Sequence, residues 1–264
     1  MNPEPLMDYV ALLSAALGDR KIRARAEQRL TQVLAAARPL SASHGDHVLR
    51  PSSFGRCSLE FAAASHGMLD LPDVPRDQMT LDSGTLHGAW FAALLAGVIP
   101  EEYGVAVERP VVYRETPGNI DVLVLRRSDN ATEVVEIKTT ASGSALKPPD
   151  ASKPYQCLQA ACYAASPAIG PARCFTILTY GANVGSSRDG EPHPKMRADA
   201  YATADWKPRV DAEIDRLKAL TKLPVEQVLA DAATLADTTD AFRCRSCRFS
   251  ACPRNQNPLA RFAL

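Results

Sequence analysis

Between Gly104 and Thr139 the apolar period of this chain is that of strands, and on both sides of that stretch it is that of helices. Three runs carry the strand period: Gly104 to Tyr113, Asn119 to Arg126 and Thr132 to Thr139. Each is bounded by Pro, Gly, Asp or Asn, which predicts a three-stranded meander. A helix is expected before it, Asp82 to Ala96, apolar on most faces and therefore buried, with Gly97 just past its end. Another is expected after it, Pro154 to Ala165, followed by a strand, Arg173 to Tyr180. Helix, three strands, helix, strand is the order of an α/β sandwich in which the sheet carries the site.

The remaining segments decorate that core. Residues 5 to 37 read as two helices punctuated by Gly18 and Asp19, and Arg38 to Asp46 reads as a linker. A third helix is expected to begin near Pro51-Ser52-Ser53 and to be closed by Gly67. Gly181 to Pro194 has the composition of a loop and leads into a strand, Met196 to Ala202. The helices Trp206 to Leu220 and Val225 to Ala233 then lead to a cysteine-rich end. A chain of 264 residues accommodates one core with appendages. The simplest division is a helical extension, 1–46, and a main domain, 47–264.

Composition excludes some roles. No apolar run approaches the ~20 residues that cross a bilayer, and the first residues lack a secretory pattern, so a reducing cytoplasm is expected. The formal charge is zero, which argues against coating nucleic acid through bulk positive charge. The last segment nevertheless carries Arg243, Arg245, Arg248, Arg254 and Arg261 with no acidic residue, a patch that can follow a phosphate backbone or simply be solvated.

Three polar residues stand where the strands are otherwise apolar. Asp121 lies in Gly118-Asn119-Ile120-Asp121, and Glu136 and Lys138 lie in Val135-Glu136-Ile137-Lys138. Alternation along a strand puts Glu136 and Lys138 on one side and Ile137 on the other. If the two strands pair, Asp121 lies beside Glu136, and two carboxylates so close repel unless a cation sits between them. Hard oxygen donors suit Mg2+ or Mn2+. Glu-x-Lys alone also fits a cross-strand salt bridge; the Gly-x-x-Asp strand and the apolar flanks favour the site.

With these motifs the chain resembles the PD-(D/E)XK nuclease superfamily, in its RecB-like branch, over about residues 50 to 254. The resemblance is closest to the CRISPR-associated and phage exonucleases that carry a four-cysteine iron-sulfur cluster. It implies an αβββαβ core with a mixed sheet flanked by helices. It implies a Mg2+- or Mn2+-dependent DNA exonuclease with Asp121, Glu136 and Lys138 as the motif residues and His87, in Gly84-Thr85-Leu86-His87, as a metal ligand. Ile137 is counted among the metal contacts. Gln159 and Tyr163 match the Q-x-x-x-Y motif of that branch, with Tyr155 one turn earlier on the same helical face. Arg50 and Arg56 are candidate phosphate contacts. The partners implied are DNA, single-stranded or at duplex ends, and recombination or CRISPR-adaptation proteins.

Cys244, Cys247 and Cys252 form C-x-x-C-x4-C, and three thiols so close rarely serve packing alone. They need a fourth ligand, for which Cys57 is the best candidate, and the resembled nucleases likewise place one cysteine ahead of the core and three after it. Four thiolates hold either a 4Fe-4S cluster or Zn2+, and spacing does not choose; the resemblance favours the cluster. Closing so long a loop removes chain entropy from the unfolded state, on the order of 4 to 5 kcal/mol. Cys157, Cys162 and Cys174 are read as buried thiols. Two rival readings are a non-catalytic DNA-binding or assembly subunit on the same fold and a zinc-stabilised restriction-like endonuclease.

Overall fold

The computed structural model describes residues 3–42, 49–69, 75–140, 146, 153–170, 172–181, 196–237, 244 and 247–255. Helices α1 (Tyr9–Gly18) and α2 (Arg20–Ala42) are followed by a 3-10 turn (Pro51–Ser53), α3 (Ser58–Ser65) and α4 (Pro75–Val98). Strands β1 (Tyr103–Tyr113), β2 (Thr116–Arg126) and β3 (Ala131–Thr140) come next, and then α5 (Pro154–Ala164), β4 (Ala172–Gly181) and β5 (Met196–Ala202). Helices α6 (Thr203–Leu220), α7 (Val225–Ala230) and α8 (Ala232–Leu235) complete the order. Among the described residues no helix is long and apolar enough to cross a membrane.

The strands form one five-stranded mixed sheet in the order β1-β2-β3-β4-β5. Only β3 and β4 run parallel, as the crossover through α5 requires; the other neighbours are antiparallel. Each face of the sheet has its own core. Val122, Val124, Val135, Ile137 and Leu178 pack with α4, whose residues Ala89 and Phe91 to Leu95 are all buried because α1 and α2 cover its far side. Leu123, Val134, Phe175 and Ile177 pack on the other face with α3, α5 and α6. The expected α/β architecture is therefore present, and the N-terminal helices form part of its second layer.

Four expectations are corrected. Helix α2 continues to Ala42, into the expected linker, and residues 43–48 lie outside the described set. The single helix expected from Pro51 is a 3-10 turn and then α3, because Gly55 between them has φ of 66°, which breaks the helical path. Gly67, with φ of 67°, does close α3. The helix expected over Val225 to Ala233 is two short ones broken at Asp231. The strand expected from Asn119 begins at Thr116, because the hairpin turns on Arg114-Glu115, both with positive φ, and not on Pro117-Gly118. Most of the expected loop from Gly181 to Pro194 lies outside the described residues.

A buried carboxylate ties the N-terminus to the sheet. Glu133 of β3 is fully buried and accepts from the Leu6 amide (2.7 Å), the Tyr9 hydroxyl (2.8 Å) and the Thr176 hydroxyl. Burial raises its pKa, and these three donors oppose the rise by satisfying its oxygens. Removing one donor to a buried charged acceptor costs about 1.5–3 kcal/mol. Tyr9→Phe is expected to lose that much stability in chemical denaturation; a loss under about 0.5 kcal/mol would show that the network does not hold the N-terminus.

Candidate active site

Strands β2 and β3 pair from Arg126↔Ala131 up to Val122↔Val135 and then part. Asp121 and Glu136, expected as cross-strand neighbours, are the first residues beyond the last pair. In place of a ladder bond, the Asp121 carboxylate accepts from the amide of Ile137 at 2.7 Å. The side chain thus satisfies a backbone donor that the parting of the strands leaves exposed. In a strand the N–H and C=O of one residue point to the same edge, so the Ile137 carbonyl also faces the gap, while its side chain is buried against α4.

Glu136 and Lys138 lie on the α5 face, as alternation requires. Lys138 Nζ donates to Glu136 Oε1 (2.6 Å) and to Gln159 Oε1 (3.0 Å), and Gln159 Nε2 donates to the Tyr163 hydroxyl (3.1 Å). The lysine is therefore held from its own strand and from α5. The position of α5 rests on close packing at two glycines. A Cβ on Gly118 would lie 2.5 Å from Tyr163 Cε1 and 3.2 Å from Pro51 Cδ, and one on Gly55 would lie 2.8 Å from Tyr155 Cβ. Gly118 lets the Tyr163 ring lie on β2 three residues before Asp121, which gives the Gly-x-x-Asp spacing a packing reason.

A further acidic residue, absent from the sequence reading, belongs to this group. Val105 and Val107 of β1 and Val122 and Val124 of β2 face α4, yet Val111 and Ile120, an even number of residues away, face α5. A strand can change face in that way only at a kink. The kink falls at Glu108, with φ of 50°, and at Asp121 opposite it, between the pairs Val107↔Val122 and Arg109↔Ile120. Asn119 Nδ2 reaches Glu108 Oε2 at 3.4 Å. The sequence signal that finds Glu108 is register: counting back from Tyr113↔Thr116 puts it across from Asp121.

Electrostatics show the three carboxylates acting on one another. Burial and then the Asp121 charge push Glu108 up to about 7. Burial, Asp121 and Glu108 push Glu136 up to about 8 against the pull of Lys138. Burial also raises Asp121, opposed by Lys138 and the Ile137 amide. Burial works against the Lys138 ammonium, but Glu136 and Asp121 outweigh it and hold its pKa above the ordinary value. One ammonium faces three carboxylates, so full ionisation leaves negative charge that a cation would neutralise. Glu136 Oε2 is buried and has no hydrogen-bond partner, which is what an oxygen ligand looks like without its ion.

His87 lies on the α4 side of the sheet, its ring 6.5 Å from that of Tyr180. Among the described residues no three His, Cys, Asp or Glu side chains converge as they would around one ion, so His87 is not gathered with Asp121 and Glu136 at ligating distance. The donors that fit an ion here are Asp121, the unpartnered oxygen of Glu136 and the Ile137 carbonyl.

A second constellation forms at the far end of the chain, where Cys57, Cys244, Cys247 and Cys252 line one cavity with Glu60 and Arg254. The four cysteines do not stand at ligating distances from one point. Burial pushes Cys247 up to about 12, with Glu60, Cys252 and Cys57 adding to the rise, and burial raises Cys252 too. Asn255, unremarked in the sequence, shapes the turn by donating to the carbonyls of Phe249 (2.7 Å) and Cys247 (3.4 Å). Cys157, Cys162 and Cys174 are buried, as expected. The Arg56 carbonyl accepts from Arg216, Arg254 lines the cysteine cavity, and Arg243, Arg245 and Arg261 lie outside the described residues.

No family model and no curated protein matches this chain. Among solved structures it is similar to the crystal structure of SSO0001, with a TM-score of 0.46 and 14% sequence identity over 87% of this chain and 96% of that one. A likeness of that degree says nothing of activity.

The raised acids make stability depend on pH. A carboxyl whose folded pKa lies above its unfolded value stabilises the fold in its protonated form, and that stabilisation is lost as pH rises through the folded pKa. For Glu108 the window runs from 4.5 to about 7, and for Glu136 from 4.5 to about 8. In buffer free of divalent cations, Glu108→Gln is expected to gain in melting temperature relative to wild type as pH rises from 4.5 to 7, and then to level off. Parallel curves for the two proteins would contradict the assignment.

Proposed function

We propose that the chain is a metal-dependent DNA nuclease of the PD-(D/E)XK type, acting as an exonuclease, with a four-cysteine site that holds a 4Fe-4S cluster. The observation that carries the reading is the parting of β2 and β3, where Asp121, Glu136 and the Ile137 carbonyl meet at one gap with Lys138 hydrogen-bonded alongside. The order α4, three antiparallel strands, α5 and a parallel strand supports it. A divalent cation bound at the gap would offset the charge of a scissile phosphate and make a water more acidic.

The chain's own groups do the rest. Asp121 and Glu136 present hard oxygens from a rigid sheet, and the hydrogen bond from Ile137 fixes the carboxylate of Asp121. Lys138, held above its ordinary pKa, stays an ammonium at neutral pH and can donate to a water or to a phosphate oxygen as charge develops. Gln159 and Tyr163 orient that ammonium. At the other site, four thiols on one cavity suit either a cluster or zinc, and joining Cys57 to the C-terminal segment secures the turn that packs on α5. Preference for strand ends follows from the resemblance alone.

With Mn2+ and anaerobically purified protein, end-labelled linear DNA should be degraded and circular DNA spared, and Lys138→Ala should lower the rate by about 10²- to 10³-fold. Equal rates for Lys138→Ala and wild type would overturn the nuclease reading, and cleavage of circular DNA would replace exonuclease by endonuclease. Cys57→Ser should cost the protein its bound iron and lower its melting temperature; zinc with no iron in the wild type would exchange the cluster for zinc.

A further inference from the structure

Cys57 reaches the cysteine cavity from the opposite end of the sequence, so contacts outside the cavity have to place it there. Its neighbours in the chain are bonded to α6 or to Asp237. The Gly55 amide donates to Glu213 Oε1 at 2.8 Å. Arg216 donates to the Arg56 carbonyl through Nη2 (3.2 Å) and to the Ser58 hydroxyl through Nη1 (2.6 Å). Asp237 accepts from the Ser58 amide at 3.0 Å and from its hydroxyl at 2.5 Å. Arg216 is itself held by Glu213 through two hydrogen bonds of 2.8 Å, and its Nη1 lies 3.9 Å from Asp237. One guanidinium thus grips the residues on both sides of Cys57.

The charge on that group matters as much as its bonds. Glu213 and Asp237 bring two carboxylates to a segment whose cysteine has to ionise to bind a metal, and carboxylates oppose that ionisation. Arg216 is the cation that offsets them. Glu213 raises the pKa of Arg216 against burial, and Asp237 and Cys57 add to the rise, so the charges on the arginine and on the thiol act on each other. A neutral donor could make the same bonds, but it would leave both carboxylates uncompensated beside Cys57.

We propose that Arg216 is a positioning residue of the cysteine centre: it fixes Cys57 through Arg56 and Ser58, and its charge raises the reduction potential of the centre. The inference rests on the cluster reading of the four cysteines. Reduction adds a negative charge to an iron-sulfur centre, so a fixed cation beside one ligand favours the reduced form and a fixed carboxylate favours the oxidised form. Arg216 and Glu213 therefore act on the potential in opposite directions, although they belong to one hydrogen-bond network.

The potential is measured by redox titration followed by electron paramagnetic resonance, on anaerobically purified full-length protein with iron counted in each sample. Arg216→Gln keeps amide donors and removes the charge. It should lower the ratio of reduced to oxidised centre at the wild-type midpoint about tenfold, a shift of about 59 mV for one electron. Glu213→Gln keeps an acceptor for the Gly55 amide and should shift the ratio the other way. Arg216→Lys keeps the charge without the fork, so its midpoint should stay near that of wild type while iron is lost to a chelator roughly tenfold faster. A general loosening of the segment would move both glutamine variants alike. Iron-loaded Arg216→Gln and Glu213→Gln with the wild-type midpoint overturn the proposal and leave the cluster reading intact. Where Arg216→Gln holds no iron, Glu213→Gln decides alone, and a midpoint at or below that of wild type overturns the proposal. Zinc with no iron in wild type overturns the cluster reading and the proposal with it.

Discussion

Everything at the centre of this molecule depends on where β2 and β3 stop pairing. Up to Val122↔Val135 the two strands satisfy each other's backbone groups, and beyond it they cannot. A donor left facing a buried gap costs free energy of the order of a lost hydrogen bond, about 1–3 kcal/mol. Asp121 makes that bond from its side chain. The same carboxylate that closes the ladder is thereby fixed at the mouth of the gap, with the Ile137 carbonyl pointing the same way. Asp121→Asn would keep an oxygen able to accept this bond, whereas Asp121→Ala would remove it.

What fills the gap on the far side is α5, and its approach is set by glycines. Tyr163 lies on Gly118 and Tyr155 on Gly55, closer than any Cβ would allow. That contact brings Gln159 within hydrogen-bond reach of Lys138. The turn holding Gly55 runs directly into Cys57, and its amide is bonded by Glu213 of α6, while Ser58 is bonded to Asp237 and Arg216. Packing from the cysteine cavity to the lysine is therefore continuous, through side chains that are buried or hydrogen-bonded at every step.

How much of this the sequence showed follows from which forces were local. The strands were legible because burial on both faces leaves short runs of Val, Ile and Leu, and Asp121, Glu136 and Lys138 were legible because they interrupt those runs. The break at Gly55 was not, because Pro51-Ser52-Ser53 is a good helix start and the positive φ that overrides it comes from contact with Tyr155, a hundred residues on. The start of β2 was placed three residues late because Pro117-Gly118 reads as a strand boundary, whereas Arg114 and Glu115 take the turn positions with help from Asp211, Asp215 and Lys218 of α6. Glu108 was not legible, because its meaning depends on register. Within the expected strand Gly104 to Tyr113 it was one polar residue next to Arg109 and Pro110.

The two clusters obey one rule. Burial raises Glu108 and Glu136, and the Asp121 charge raises both further; at the cysteine cavity burial raises Cys247 and Cys252, and the nearness of Cys57 raises both further. Such groups stabilise nothing by themselves; ionised together they oppose the fold. The chain holds them on fixed elements, the carboxylates beside a kinked hairpin and the thiols beside an asparagine-pinned turn. Oxygen donors favour hard divalent ions and sulfur donors favour iron or zinc, so under the proposed function the two sites would not compete for one metal.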